Sequence, residues 1–71
     1  MFTYYFDVRG CGDGHDDRGG TPMANDEAAF VYARRIIREL REAGGYDDSA
    51  LTMVVRNWAG ETVYAIPFLP H

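Results

Sequence analysis

Residues 2 to 9 alternate without a break, with Phe2, Tyr4, Phe6 and Val8 on one side and Thr3, Tyr5, Asp7 and Arg9 on the other. Aromatic and β-branched residues at period two make a strand with one buried face. Such a strand needs partners for its backbone groups and a cover for its apolar side.

The cover is a helix. Asn25 suits an N-cap, and Asp26 and Glu27 put negative charge in the first turn, where the helix dipole favours it. Ala29, Phe30, Ala33, Ile36, Ile37, Leu40 and Ala43 recur at helical spacing and form one apolar stripe. Arg34, Arg35, Arg38, Arg41 and Glu42 take the other side, and Gly44-Gly45 supplies a left-handed stop. The stripe predicts Ala33 and Leu40 buried, Arg34 and Arg41 exposed.

The partners lie at the end of the chain. Leu51 to Asn57 and Glu61 to Pro67 read as a hairpin around Asn57-Trp58-Ala59-Gly60. Asn suits the first position of a type I turn, and Gly60 at the fourth can take positive φ and close a bulged loop. That turn sets Asn57 opposite Glu61, Val55 opposite Val63 and Met53 opposite Ala65. Leu51, Met53, Val55, Val63 and Ala65 then face the helix, while Val54, Tyr64 and Ile66 face away, with Tyr5 joining them.

These elements give an α+β domain over residues 1–71, one helix on a small, mainly antiparallel three-stranded sheet in the order strand, helix, strand, strand. A split βαβ arrangement of the preferred hand sets the first strand beside the last. A short extra strand fits around Arg18 to Met23, after a loop at 10–20 that holds five of the eight glycines.

Tyr4-Tyr5-Phe6-Asp7-Val8-Arg9, Asp26-Glu27-Ala28-Ala29, and Val55-Arg56-Asn57-Trp58-Ala59-Gly60 followed by Val63 and Ile66-Pro67-Phe68 form a set. Together they resemble a family of short bacterial proteins catalogued only as a domain of unknown function. That family opens on an aromatic strand ending in Arg, continues through an Asp/Gly-rich loop and an alanine-rich helix, and closes on a hairpin ending in Pro-Phe. Cys11 and His15 depart from its pattern. The resemblance implies this fold and a bacterial, cytoplasmic setting, and it brings no activity.

The 71 residues carry a net charge of -4, which argues against a general phosphate-backbone binder. All seven basic residues are arginine. A lone cysteine excludes a disulfide within the chain. No apolar run approaches the roughly 20 residues that cross a bilayer, and no secretory signal opens the chain. The expected location is the cytoplasm, with no membrane partner.

Metal-ligand side chains cluster only at Cys11, Asp13, His15, Asp16 and Asp17. A structural zinc site draws two ligand pairs from separate elements, and the second pair is missing. An EF-hand opening at Asp13 would place Arg18 where glycine is required and Ala24 where a bidentate Glu is required. Asp and Gly are also what a solvated turn selects, so neither metal nor cofactor is expected. Cys11 and His15 share one glycine-rich loop with nothing to orient them, so no enzyme is expected either.

Two function classes remain. One is a small protein-interaction or regulatory module, self-associating or binding a small protein partner through Val54, Tyr64, Ile66 and Trp58. The other is a nucleic-acid-associated protein using Arg34, Arg38 and Arg41. Pairing of Arg35 and Arg38 with Glu39 and Glu42 at four-residue spacing would make that helix face an ordinary solvated one. Arginines free of carboxylates would favour the second class.

Overall fold

A computed structural model describes residues 1–10, 19–44 and 51–68, with β1 at Phe2–Arg9, β2 at Thr21–Met23, α1 at Asp26–Ala43, β3 at Thr52–Arg56 and β4 at Thr62–Pro67. The strands form one sheet in the order β2-β1-β3-β4, every neighbouring pair antiparallel. The α+β reading therefore holds, and the short strand expected after the first loop is β2, the fourth member of the sheet.

The strand order corrects the expectation that the first strand lies beside the last. β1 pairs with β3 from Tyr5↔Arg56 to Arg9↔Thr52, and β4 lies at the edge. Two features favour this order. It sets Phe6 opposite Val55 and Val8 opposite Met53, so the helix-facing side is apolar throughout. It also leaves Pro67, which has no N–H, on an edge strand, where that loss breaks no ladder bond. The Phe68 amide donates to the Leu51 carbonyl at 3.0 Å. Antiparallel bonding alternates, so Tyr64 and Ile66 also bond toward β3, while Ala65 and Pro67 turn their backbone groups to the open edge.

The helix begins and ends as its sequence requires. Asn25 Oδ1 accepts the Ala28 amide at 2.8 Å, and Gly44, at φ 90°, returns its N–H to the Arg41 carbonyl at 3.2 Å. Ala29, Ala33 and Ile37 are buried, and the two alanines, one turn apart, let the helix approach the sheet closely. Ala33 is buried and Arg34 and Arg41 are exposed, as expected, but Leu40 is only half-buried. The core is completed from the sheet by Tyr4, Phe6, Val8, Met53 and Val55, and by Phe68 just past β4.

The hairpin forms through the expected turn with a different register. Gly60 has φ 82° and donates to the Asn57 carbonyl at 3.0 Å. Asn57 Oδ1 accepts the amides of Ala59 and Glu61 at 2.9 and 3.0 Å. Arg56 then pairs with Thr62 but Val55 with Tyr64, because a bulge intervenes. One extra residue reverses every side chain beyond it. Tyr64 and Ile66 therefore belong to the helix side, and Val54 and Ala65 form the outward pair. The gain is in volume, since a tyrosine and an isoleucine replace the smaller side chains of Val63 and Ala65 opposite Val55 and Met53.

Candidate functional site

The register settles where the expected interaction residues go. Val54 faces outward, half-buried, while Tyr64 and Ile66 pack against the helix-side core. They form no common patch. Phe68, just past β4, is 1% exposed and lies inside the core. Trp58 is 54% exposed, yet its ring stacks on Phe2 at 4.5 Å and meets Tyr4 edge-on at 5.9 Å, closing the end of the core.

Beneath that aromatic lid, the Tyr4 hydroxyl donates to the Asp26 carboxylate at the start of α1. Burial first, and this bond second, push the Tyr4 phenol up to about 12. The outward side of the sheet carries a second polar contact. Asp7 is fully buried and receives Arg56 through Nε at 2.6 Å and Nη2 at 3.3 Å, with Arg9 at 3.6 Å. The Arg56 guanidinium also lies over the Tyr5 ring, 5.1 Å from its centroid. Both contacts tie separate elements of the fold together, so we assign them to stability.

One concave feature that joins two elements lies between α1 and β4. A groove of about 420 Å³ runs between the two, with Ile37, Ile66 and Phe68 as its floor, Phe30 and Pro67 on its sides, and Arg34, Arg38 and Arg41 along its rim. Helical periodicity places the three arginines on this side, and the bulge brings Ile66 to face them. Phe30 rests against Tyr64 with ring centroids 5.0 Å apart, and the Arg34 guanidinium sits over Phe30 at 5.8 Å. One arginine is thus held in place by an aromatic pair.

Charge distinguishes this rim from an ordinary helix surface. Arg35 pairs with Glu39 at 3.3 Å, but Arg34, Arg38 and Arg41 form no ion pair among the described residues. The expected Arg38–Glu42 pair is absent among them. Three guanidinium groups therefore line one apolar groove in a chain of net charge -4.

The arginines were visible in the sequence; the groove was not. Ile66, Pro67 and Phe68 join it only because the bulge reverses the strand and β4 lies at the edge. Pro67 near the end of an otherwise good strand was the available signal for the edge position.

The candidate metal ligands Cys11, Asp13, His15, Asp16 and Asp17 lie outside the described residues. Among those described, no three His, Cys, Asp or Glu side chains are grouped to hold a metal ion, and no helix is long and apolar enough to cross a membrane.

A family model described as a domain of unknown function, DUF6894, matches residues 3–69, and the chain belongs to that family. This agrees with the resemblance seen in its strand, helix and hairpin motifs. No curated protein and no solved structure matches the chain.

Proposed function

We propose that this member of the DUF6894 family is a cytoplasmic protein-interaction module that binds an acidic partner protein in the groove between α1 and β4. The observation that carries the reading is the rim of Arg34, Arg38 and Arg41, without carboxylate partners among the described residues, above an apolar floor. A guanidinium in water has little to gain from its own surface, but beside an apolar floor it can bind a carboxylate bidentately in a partly dry place. Interfaces are built in this way, with an apolar centre and a charged rim in which arginine is enriched. The cytoplasm is consistent with a lone cysteine, which stays reduced there.

Nucleic-acid binding is the second reading, and the same arginines, without carboxylate partners among the described residues, favour it. The balance of charge opposes it: a phosphate backbone approaching α1 meets Glu39 and Glu42 on the same helix and a net charge of -4. Self-association through the outer sheet face loses the paired residues that motivated it, since Tyr64 and Ile66 turn toward the helix.

The test is affinity capture from the protein's own cells with the wild type and with the triple variant Arg34→Glu, Arg38→Glu, Arg41→Glu, each with and without nuclease. A specific protein retained by the wild type, lost with the variant and indifferent to nuclease supports the reading. Release by nuclease would transfer the groove to nucleic acid. Equal capture by both proteins would show that the groove is not the contact.

A further inference from the structure

Resting on that reading, we infer that the partner enters the groove as an extended segment, pairs with the free edge of β4, and carries carboxylates at alternate residues with apolar residues between them. The edge comes first. Among the described residues β4 pairs only with β3, and the alternation fixed by the Phe68–Leu51 bond turns the Ala65 N–H and C=O and the Pro67 C=O outward. Alternate backbone groups two residues apart are what an added strand bonds to.

The rim sets the side chains. Arg34 and Arg38 are four residues apart on a helix, about 6 Å along its axis, and Arg41 follows about 4.5 Å later. Alternate residues of a strand are about 6.7 Å apart. A strand beside β4 therefore presents every second side chain on the helix side of the sheet, at a spacing that long, flexible arginines can meet one for one. The residues between them fall on the outward side beside the exposed, apolar Ala65 and Pro67 of β4. The pattern read from the groove is acidic, apolar, acidic, apolar, acidic.

A second copy pairing through its own β4 edge does not satisfy it. Antiparallel pairing of two β4 edges would bring two arginine rims together and offer each of them Tyr64 and Ile66 of the other copy, with no carboxylate among them.

The experiment is selection from a random twelve-residue peptide display library on the immobilised protein. Arg34→Glu/Arg38→Glu, verified as folded by circular dichroism, serves as counter-selection. Recovered peptides should carry Asp or Glu at alternate positions. The best of them should bind at least tenfold more weakly to Arg38→Glu and within twofold to Arg35→Glu, the arginine that Glu39 already holds. Binding should also protect the Ala65 amide from hydrogen exchange. Selected acids spaced by four with an unprotected Ala65 amide would replace the strand by a helix, overturning this inference while leaving the interaction module in place. Selection without acidic residues, or equally from the variant, would overturn the inference outright. Single-stranded DNA of the same length binding more tightly than every recovered peptide would overturn both.

Discussion

Phe30 of the helix and Tyr64 of the edge strand meet with ring centroids 5.0 Å apart and 52° between their planes. This contact joins β4 to α1 and orients Arg34 at the groove mouth. Tyr64→Ala should therefore destabilise the fold by about 1–3 kcal/mol, less than the cost of a fully buried aromatic because Tyr64 is half-buried. Tyr64→Glu should lower the melting temperature without changing the sedimentation coefficient of the folded protein. A stable Tyr64→Glu protein with an altered oligomeric state would return Tyr64 to the outer face.

Asp7 and Arg56 are unequal partners, and their variants should reflect it. Asp7 is fully buried, whereas the Arg56 side chain retains 32% exposure. Arg56→Met leaves a carboxylate in the interior with Arg9 at 3.6 Å as a poorer neighbour, and should cost about 2–4 kcal/mol. Asp7→Asn leaves a guanidinium that can turn to water, and should cost about 1–2 kcal/mol. Urea unfolding of the two variants checks the order; the reverse order would mean that the carboxylate has a better alternative partner than Arg9.

Two glycines with positive φ should respond differently to the same substitution. Gly60, at φ 82°, has open space where a Cβ would go, so Gly60→Ala is opposed by backbone strain alone, about 1 kcal/mol. Gly20, at φ 72°, would bring a Cβ to 2.5 Å from the Thr3 methyl and 3.0 Å from the Tyr5 ring. Gly20→Ala adds overlap to strain and should cost at least twice as much, loosening the packing of the loop end onto β1. Equal losses in thermal unfolding would show that β1 yields at Thr3 without cost.

Tyr4 should make the protein sensitive to alkali. Its phenol is raised from 10.0 to about 12 in the folded state, first by burial and then by its bond to Asp26. Below the unfolded value both states hold the proton, and the stabilising difference is fully present. Above it, the unfolded chain releases a proton that the folded state keeps, so stability falls as pH rises toward about 12. Urea midpoints measured from neutral pH to about pH 11 should decline more steeply for the wild type than for Tyr4→Phe. Parallel declines would remove Tyr4 as the cause.

What the sequence disclosed depended on how local its cause was. The β1 alternation, the Asn25 cap, the alanine-rich stripe and the Gly60 turn are each fixed by residues within one element, and each is found in the structure. The face of β4 depends on one inserted residue after a correctly identified turn, a choice decided by how Tyr64 and Ile66 pack against α1. Strand order is likewise a property of the assembled sheet: β1 could be assigned a buried face, but its neighbour is set by the match of Phe6 and Val8 to Val55 and Met53. The same holds for the candidate site. Arg34, Arg38 and Arg41 were legible as a row, while two of the three floor residues, Ile66 and Phe68, lie more than 20 positions away and are brought beneath them by that register.

Photo-crosslinking inside the protein's own cells tests the groove most directly. A photoreactive residue at position 67, beside the arginine rim, is compared with one at position 54 on the outward face. A protein adduct is expected from position 67 that disappears when Arg34 and Arg38 are changed to Glu, and none of that adduct from position 54. An adduct to nucleic acid, to a second copy of the chain, or to any protein from position 54 alone would contradict it.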